Sequence, residues 1–159
     1  ITIRIRADHK VDRTRAAIVK AYYLKNKNKD GPKEVLSMSL NDSSKNTSYN
    51  LGRLFAILEL IQNEANPGLN ATIKDKYFNA ASATPAVIYP ILLNLSQKHM
   101  RKISNDRYRV YYEKKMTEIM AMLGEEFPSR LNLPQQGSFL LGYYHQTQDH
   151  YSGKSKGEE

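Results

Sequence analysis

Residues 66–90 read NPGLNATIKDKYFNAASATPAVIYP, and this stretch decides the fold. Asn66-Pro67-Gly68 ends whatever helix precedes it, because proline disfavours helix in the residue before it and glycine permits the chain reversal. Asn70 is placed to cap a short helix through Ile73, Tyr77 and Phe78 to about Ala81. Thr84 is placed to cap the next, with Pro85 at the first helical position, where its missing N–H costs nothing. Pro90 then falls inside that helix and predicts a kink, since it removes a backbone hydrogen bond. Helix, turn, helix, turn, helix is the pattern of a helical bundle.

The same pattern extends outward. Thr47 or Ser48 is expected to cap a helix whose apolar face is Leu51, Leu54, Phe55, Leu58, Ile61 and Ala65. Downstream, Tyr108, Tyr112, Met116, Ile119, Met120 and Leu123 form another apolar stripe. Residues 126–134 read as a loop, and Pro134 opens a final helix carrying Phe139, Leu140, Tyr143 and Tyr144. The expected fold class is all-α, a single bundle of five to six helices with a polar N-terminal tether. The expected division is a basic helix and linker over 1–46, the bundle over 47–150 and a disordered tail over 151–159.

The N-terminal third is patterned differently. ITIRIRAD alternates like a strand, but residues 8–25 follow a helical period, with Val11, Ile18 and Tyr22 on one side and Arg6, Lys10, Arg13 and Lys20 on another. We extend that helix back to about Arg4, because a basic rail needs the continuity. The abrupt start at Ile1 reads as a fragment of a longer protein. Residues 26–48 are polar, contain Asp30-Gly31-Pro32 and read as a loop or tether. Met38 reads as an anchor residue or as an internal start.

The chain has 159 residues, 24 Lys/Arg against 16 Asp/Glu, a formal net charge of +8 and no cysteine. That length suits one domain, and the missing thiols exclude disulfides and thiolate metal sites. No apolar run reaches the ~18 residues of a membrane span. A cytoplasmic protein is the simplest expectation, and the Asn-x-Ser/Thr sequons at Asn41, Asn46, Asn70 and Asn94 carry no weight without a secretory signal. Positive charge fades along the chain. Residues 1–46 carry a net of +6, residues 47–105 a net of +3 and residues 106–159 a net of −1. Such one-sided charge suits a polyanion.

Enzymatic constellations are missing from the sequence. No pair among His9, His99, His145 and His150 has the i, i+4 spacing of a helical zinc site. Gly31 and Gly52 stand without a phosphate-loop context, and Gly153-Lys154-Ser155 lacks its upstream glycine. His145 reads as a polar boundary residue of the last helix. No catalytic residue, metal or cofactor is expected.

The positive residues form two sets. Arg4, Arg6, Lys10, Arg13, Arg15, Lys20, Lys25 and Lys27 supply the N-terminal rail, and Arg6 to Lys20 spans about 20 Å at helical rise. Asn70, Lys74 and Lys76, with Arg53, make the second, to which Lys98, Arg101 and Lys102 add a basic helix end. Helices headed by Asn70 and Thr84 offer N–H groups to anions. Lys74 and Lys76 lie about 200° apart on one helix and so do not share a phosphate. Contact with nucleic acid, contact with acidic protein partners and simple solvation all remain open for these charges. The tyrosine pairs Tyr22-Tyr23, Tyr111-Tyr112 and Tyr143-Tyr144 diverge by about 100° each, so one ring packs while its neighbour reaches the core edge or stacks on a base.

YNLGRLFAILELIQ before the opening stretch and QQGSFLLGYYHQTQ near the end complete a set of motifs. With residues 66–90, they closely resemble the C-terminal region of the type I-C Cascade large subunit, a region that is similar to the separate small subunit of this CRISPR surveillance complex. The match is strong over residues 49–148 and looser in the N-terminal third. The resemblance implies a non-catalytic subunit beside guide RNA and target DNA that holds the displaced non-target strand. It also implies Cascade backbone and large subunits as partners, and a recruited helicase-nuclease that does the cutting. An assembly scaffold that meets only protein is the alternative, and a small enzyme is a remoter one.

Overall fold

The computed structural model describes residues 39–155. The rail, the Tyr22-Tyr23 pair and Met38 lie outside them. Five helices follow one another: α1 (Thr47–Ala65), α2 (Ile73–Ala83), α3 (Pro85–Met100), α4 (Asp106–Ala121) and α5 (Leu133–Ser155). The all-α bundle is as expected from the apolar periodicities.

Helix α1 is the axis of the fold, packed against each of the other four and most extensively against α5. Every residue from Ser48 to Leu58 is buried. An all-round buried helix needs something other than a simple apolar stripe, and α1 has two faces of different chemistry. On one, Phe55 meets Phe78 of α2 with ring centroids 5.2 Å apart, and meets Phe139 and Tyr143 of α5 at 6.0 Å each. Phe78 closes the cluster on Phe139 at 5.4 Å and Tyr143 at 4.9 Å. All are edge-on, the arrangement that aromatic quadrupoles favour. Full burial of each such side chain contributes about 1.5–3 kcal/mol.

The other face of α1 is polar. Asn50, Arg53, Ser138, His145 and Gln146 are all buried, and residues 39–46 lie across them. The backbone N–H of Asn41 donates to Tyr49 Oη (3.1 Å), and Asn50 Nδ2 donates to the carbonyl of Ser44 (2.7 Å). This part of the expected tether is therefore strapped to the bundle by the groups α1 buries.

Two glycines let α1 and α5 meet backbone to backbone. A Cβ at Gly52 would intrude on the carbonyl of Phe139 and lie 2.8 Å from the N of Tyr143, and one at Gly142 would collide with the carbonyl of Tyr49. Gly52 is thus a packing residue, and the two glycines sit in the two motifs flanking the opening stretch.

Helix ends differ from expectation by a residue or two. Asn46, not Thr47 or Ser48, caps α1 by accepting from Tyr49 N. Thr72, not Asn70, caps α2 in a reciprocal box with Asp75, because the box satisfies two N–H groups where Asn70 would satisfy one. Thr84 precedes α3 but turns its hydroxyl back to the carbonyl of Ala80 (3.1 Å). Helix α3 runs through Pro90, which lies on its exposed side. At the start of α5, Asn132 and Gln135 exchange backbone-to-side-chain bonds of 2.9 and 2.8 Å. That helix continues to Ser155, past the expected start of the disordered tail at 151.

Loop 122–132 is pinned at both strands of its path. Leu131 N donates to the carbonyl of Ala83 (3.0 Å) and Ala86 N to that of Pro128 (3.1 Å). Phe127 stacks on Tyr89 at 5.1 Å, and Tyr89 donates to the carbonyl of Leu51 at 2.5 Å. Tyr112 and Tyr143 are buried whereas Tyr144 is 51% exposed, so the paired tyrosines split as their divergence predicts.

Candidate nucleic-acid interface

Arg53 is withdrawn from the surface, which corrects its place among the expected phosphate contacts. Its side chain is 1% exposed and its Nη2 lies 2.6 Å from Asp42 Oδ1, a carboxylate that is itself 65% exposed. Nε donates to Gln146 Oε1 (3.1 Å), and Nη1 donates to Asn50 Oδ1 (3.2 Å) and the carbonyl of Asp42 (3.3 Å). Burial pushes the guanidinium below its ordinary value, and Asp42 opposes that shift. The sequence signal was ambiguous because Arg53 sits within the first two turns of an amphipathic helix, where a cation usually points to water. Arg53 fixes the orientation of the Gln146 amide, whose Nε2 is buried without a hydrogen-bond partner.

The expected anion sites at helix N-termini are closed. In α2 the N–H of Thr72 goes to Asp75 Oδ2 (2.8 Å), that of Ile73 to Gln62 Oε1 (2.7 Å) and that of Lys74 to Thr72 Oγ1 (3.2 Å). In α3 Pro85 has no N–H, and those of Ala86 and Val87 are bonded to Pro128 and Thr84 carbonyls. An N-terminus attracts anions through unsatisfied N–H groups, and here side chains and the loop have taken them.

Lys74 and Lys76 diverge as their spacing requires. Lys74 is half-buried, with Nζ 4.8 Å from the Tyr143 ring centroid and 5.6 Å from that of Tyr144, while Lys76 is exposed and lies 5.1 Å from the Tyr77 ring. Asn70 is exposed in the turn before α2. These three do not converge on one point.

The end of α3 does collect charge. Lys98, Arg101 and Lys102 are all exposed there, and Lys98 complements the carbonyl end of the helix dipole. Asn66, the C-cap of α1, holds this end in place: its Nδ2 lies 3.1 Å from His99 Nδ1, and its Oδ1 accepts from Lys102 Nζ (3.3 Å). Burial, and secondarily Lys102, pushes the His99 imidazole below its usual value. Ile103, 3% exposed, anchors the turn, and Asn105 caps α4 immediately afterwards. The short turn brings Arg107 and Arg109 of α4 to the same end, neither of them among the expected residues. Arg107 is exposed, and Arg109 is paired with Asp106 at 2.5 Å. Arg101 and Arg109 line one groove between α3 and α4, together with Glu113. Spacing along the sequence could reveal these two arginines only if the tightness of the turn were already known.

Among the described residues, no group of three or more His, Asp or Glu side chains is placed to hold a metal ion, and no helix is long and apolar enough to cross a membrane. His145 is 7% exposed and its Nδ1 lies 2.8 Å from Tyr49 Oη. It is a core residue rather than a boundary one, and burial lowers its pKa.

A family model described as CRISPR-associated protein (Cas_Csd1) matches residues 1–151. The chain belongs to that family. No curated protein matches it. The Cas_Csd1 match embraces the N-terminal basic residues, the strap and all of α1 to α4, so the described bundle belongs to a CRISPR-associated, Cascade-type protein. Within this Cas_Csd1 chain, Arg4, Arg6, Lys10, Arg13, Arg15, Lys20, Lys25 and Lys27 lie outside the described residues. Of the remaining expected contacts, only Lys98, Arg101 and Lys102 gather at one place.

Proposed function

We propose that this Cas_Csd1 chain is a non-catalytic nucleic-acid-binding and assembly subunit of the type I-C Cascade complex, contacting the displaced non-target strand and stabilising the R-loop. Its partners on this reading are the Cascade backbone and large subunits, guide RNA and target DNA, with a helicase-nuclease recruited by the assembled complex. One observation carries the reading: the end of α3 collects Lys98, Arg101 and Lys102 as exposed cations, of which none is in a salt bridge among the described residues. Base pairing reads sequence in RNA-guided systems, so the protein needs contacts to the backbone rather than a base code. Unpaired surface cations supply such contacts through counterion release.

The experiment is a salt titration of single-strand affinity with the full chain. Each phosphate contact contributes a slope of about −0.7 in log affinity against log salt. Replacing Lys98, Arg101 and Lys102 by Ser should reduce the slope by about 2. Wild-type binding that ignores salt would sink the reading.

A purely protein-contacting scaffold is the second reading. Asp106 and Glu113 support it, because Asp106 neutralises Arg109 and Glu113 adds a negative charge to the lining of the α3–α4 groove. It predicts that the triple variant loses a Cascade subunit on co-purification while single-strand affinity stays unchanged.

A further inference from the structure

The groove between α3 and α4 has a composition that phosphate contact does not explain. It encloses about 560 Å3, and its lining includes Gln97, Met100, Arg101, Arg109, Met116 and Thr117. Met100 and Met116 are half-buried and form the inner wall, while Gln97, Arg101 and Thr117 are exposed at the lip. Its α4 wall is close to neutral, since Glu113 lines it and Asp106 holds Arg109. A phosphate gains little from such a neutral wall. The cations in no salt bridge, Lys98, Arg101 and Lys102, are exposed at the lip and on the same end of the molecule.

The complementary ligand is flat, neutral and polarisable, has hydrogen-bonding edges and is attached to an anionic chain. An unpaired nucleobase has all of these properties. Methionine sulfur makes favourable contacts with aromatic rings, the Gln97 amide offers a donor and an acceptor to a base edge, and the Arg101 guanidinium offers donors. A duplex keeps its bases stacked and paired, so it offers the groove nothing.

We infer that the α3–α4 groove seats one unpaired nucleobase of a single strand whose phosphates lie on Lys98, Arg101 and Lys102. This rests on the nucleic-acid reading proposed above and adds a base seat to it. The seat takes any base, because a methionine wall responds to the ring face rather than to its edge pattern. It also makes the surface selective for single strands over duplex.

The test uses the full chain and three probes: a short single strand containing 2-aminopurine, the same strand with abasic sites throughout, and the duplex. Binding should change the 2-aminopurine emission, and the abasic strand should bind about fivefold or more weakly than the intact one. Met116→Ala should lower the affinity of the intact strand toward that of the abasic strand without changing the salt slope. If that substitution loosens α4, Thr117→Leu, at the exposed lip, narrows the groove from outside the core and should act in the same way. Equal affinity of intact and abasic strands, with a normal salt slope, overturns the base seat and leaves the nucleic-acid reading standing. Loss of salt-dependent binding to every probe overturns both, and points to a protein side chain as the groove's occupant.

Discussion

Gly52 of α1 packs directly on the main chain of Phe139 in α5, and Gly142 of α5 packs in return on Tyr49 of α1. The obstacle to any side chain at either position is backbone, which cannot rotate out of the way. Alanine improves helix propensity by about 1 kcal/mol over glycine, but overpacking a rigid contact costs about 1–3 kcal/mol and occasionally more. Gly52→Ala and Gly142→Ala should each lower stability, by a net of up to about 2 kcal/mol, read as a shift of the urea midpoint. Gly124→Ala is the control, since no atom lies within 4 Å of a Cβ there.

Arg53→Met should be costly without touching the exposed cations. It leaves Asn50 Oδ1 and Gln146 Oε1 without their donor, and each unsatisfied buried group costs about 1–3 kcal/mol. A loss of about 2–5 kcal/mol is expected, together with faster hydrogen exchange in residues 39–46. Arg53→Lys should rescue only part of this, because an ammonium cannot reproduce the planar fork of donors. Single-strand affinity of the folded fraction should be unchanged in both. A specific loss of affinity with unaltered stability would return Arg53 to the binding surface.

Acid should destabilise the bundle through His145. Burial lowers its folded-state pKa, so above the ordinary value of about 6.5 the ring is neutral in both states and makes no pH-dependent contribution. As pH falls through that value, the unfolded chain binds a proton that the folded ring resists, and stability declines until pH passes the folded value. His99 is shifted in the same direction. His145→Asn should flatten the decline in Tm from pH 7 to 5, and a double variant with His99→Asn should flatten it further. An unchanged slope in the double variant would contradict the assignment.

Lys74 and Arg101 are expected to separate cleanly. Lys74 is occupied by the rings of Tyr143 and Tyr144, a contact worth about 0.5–1 kcal/mol. Lys74→Ala should cost that much stability and leave the salt slope of binding intact. Arg101→Ala should do the reverse, leaving the midpoint unmoved and lowering the slope by about 0.7.

Much of the bundle is legible in the sequence. The i, i+3, i+4 spacing of Leu51, Leu54, Phe55 and Leu58 marks α1, and Pro67-Gly68, Thr84-Pro85 and Pro134 mark helix boundaries, because those signals act within a turn or two of the chain. The cap residues were missed by one or two positions where several side chains compete for the same N–H groups, as at Asn46 and Thr72. What could not be read depends on partners far along the chain. Arg53 looks like a surface cation until Gln146, 93 residues away, is placed beside it. Gly52 looks unremarkable until Phe139 arrives, and Arg109 joins Arg101 only once the α3–α4 turn is known to be tight. Locally encoded helices were readable, whereas the candidate surface is a product of their assembly.

The contact between α1 and α5 also orders events during synthesis. These helices lie at opposite ends of the described stretch of sequence, with residues 66–132 between them, yet each supplies much of the other's buried surface. When α1 leaves the ribosome, its polar and aromatic faces have no lasting cover, and a loop of that length must close before they gain one. Consolidation therefore waits for α5, and a nascent chain halted within the loop 122–132 would display Gly52 and the α5-facing sides of Phe55 and Arg53 to solvent and to chaperones.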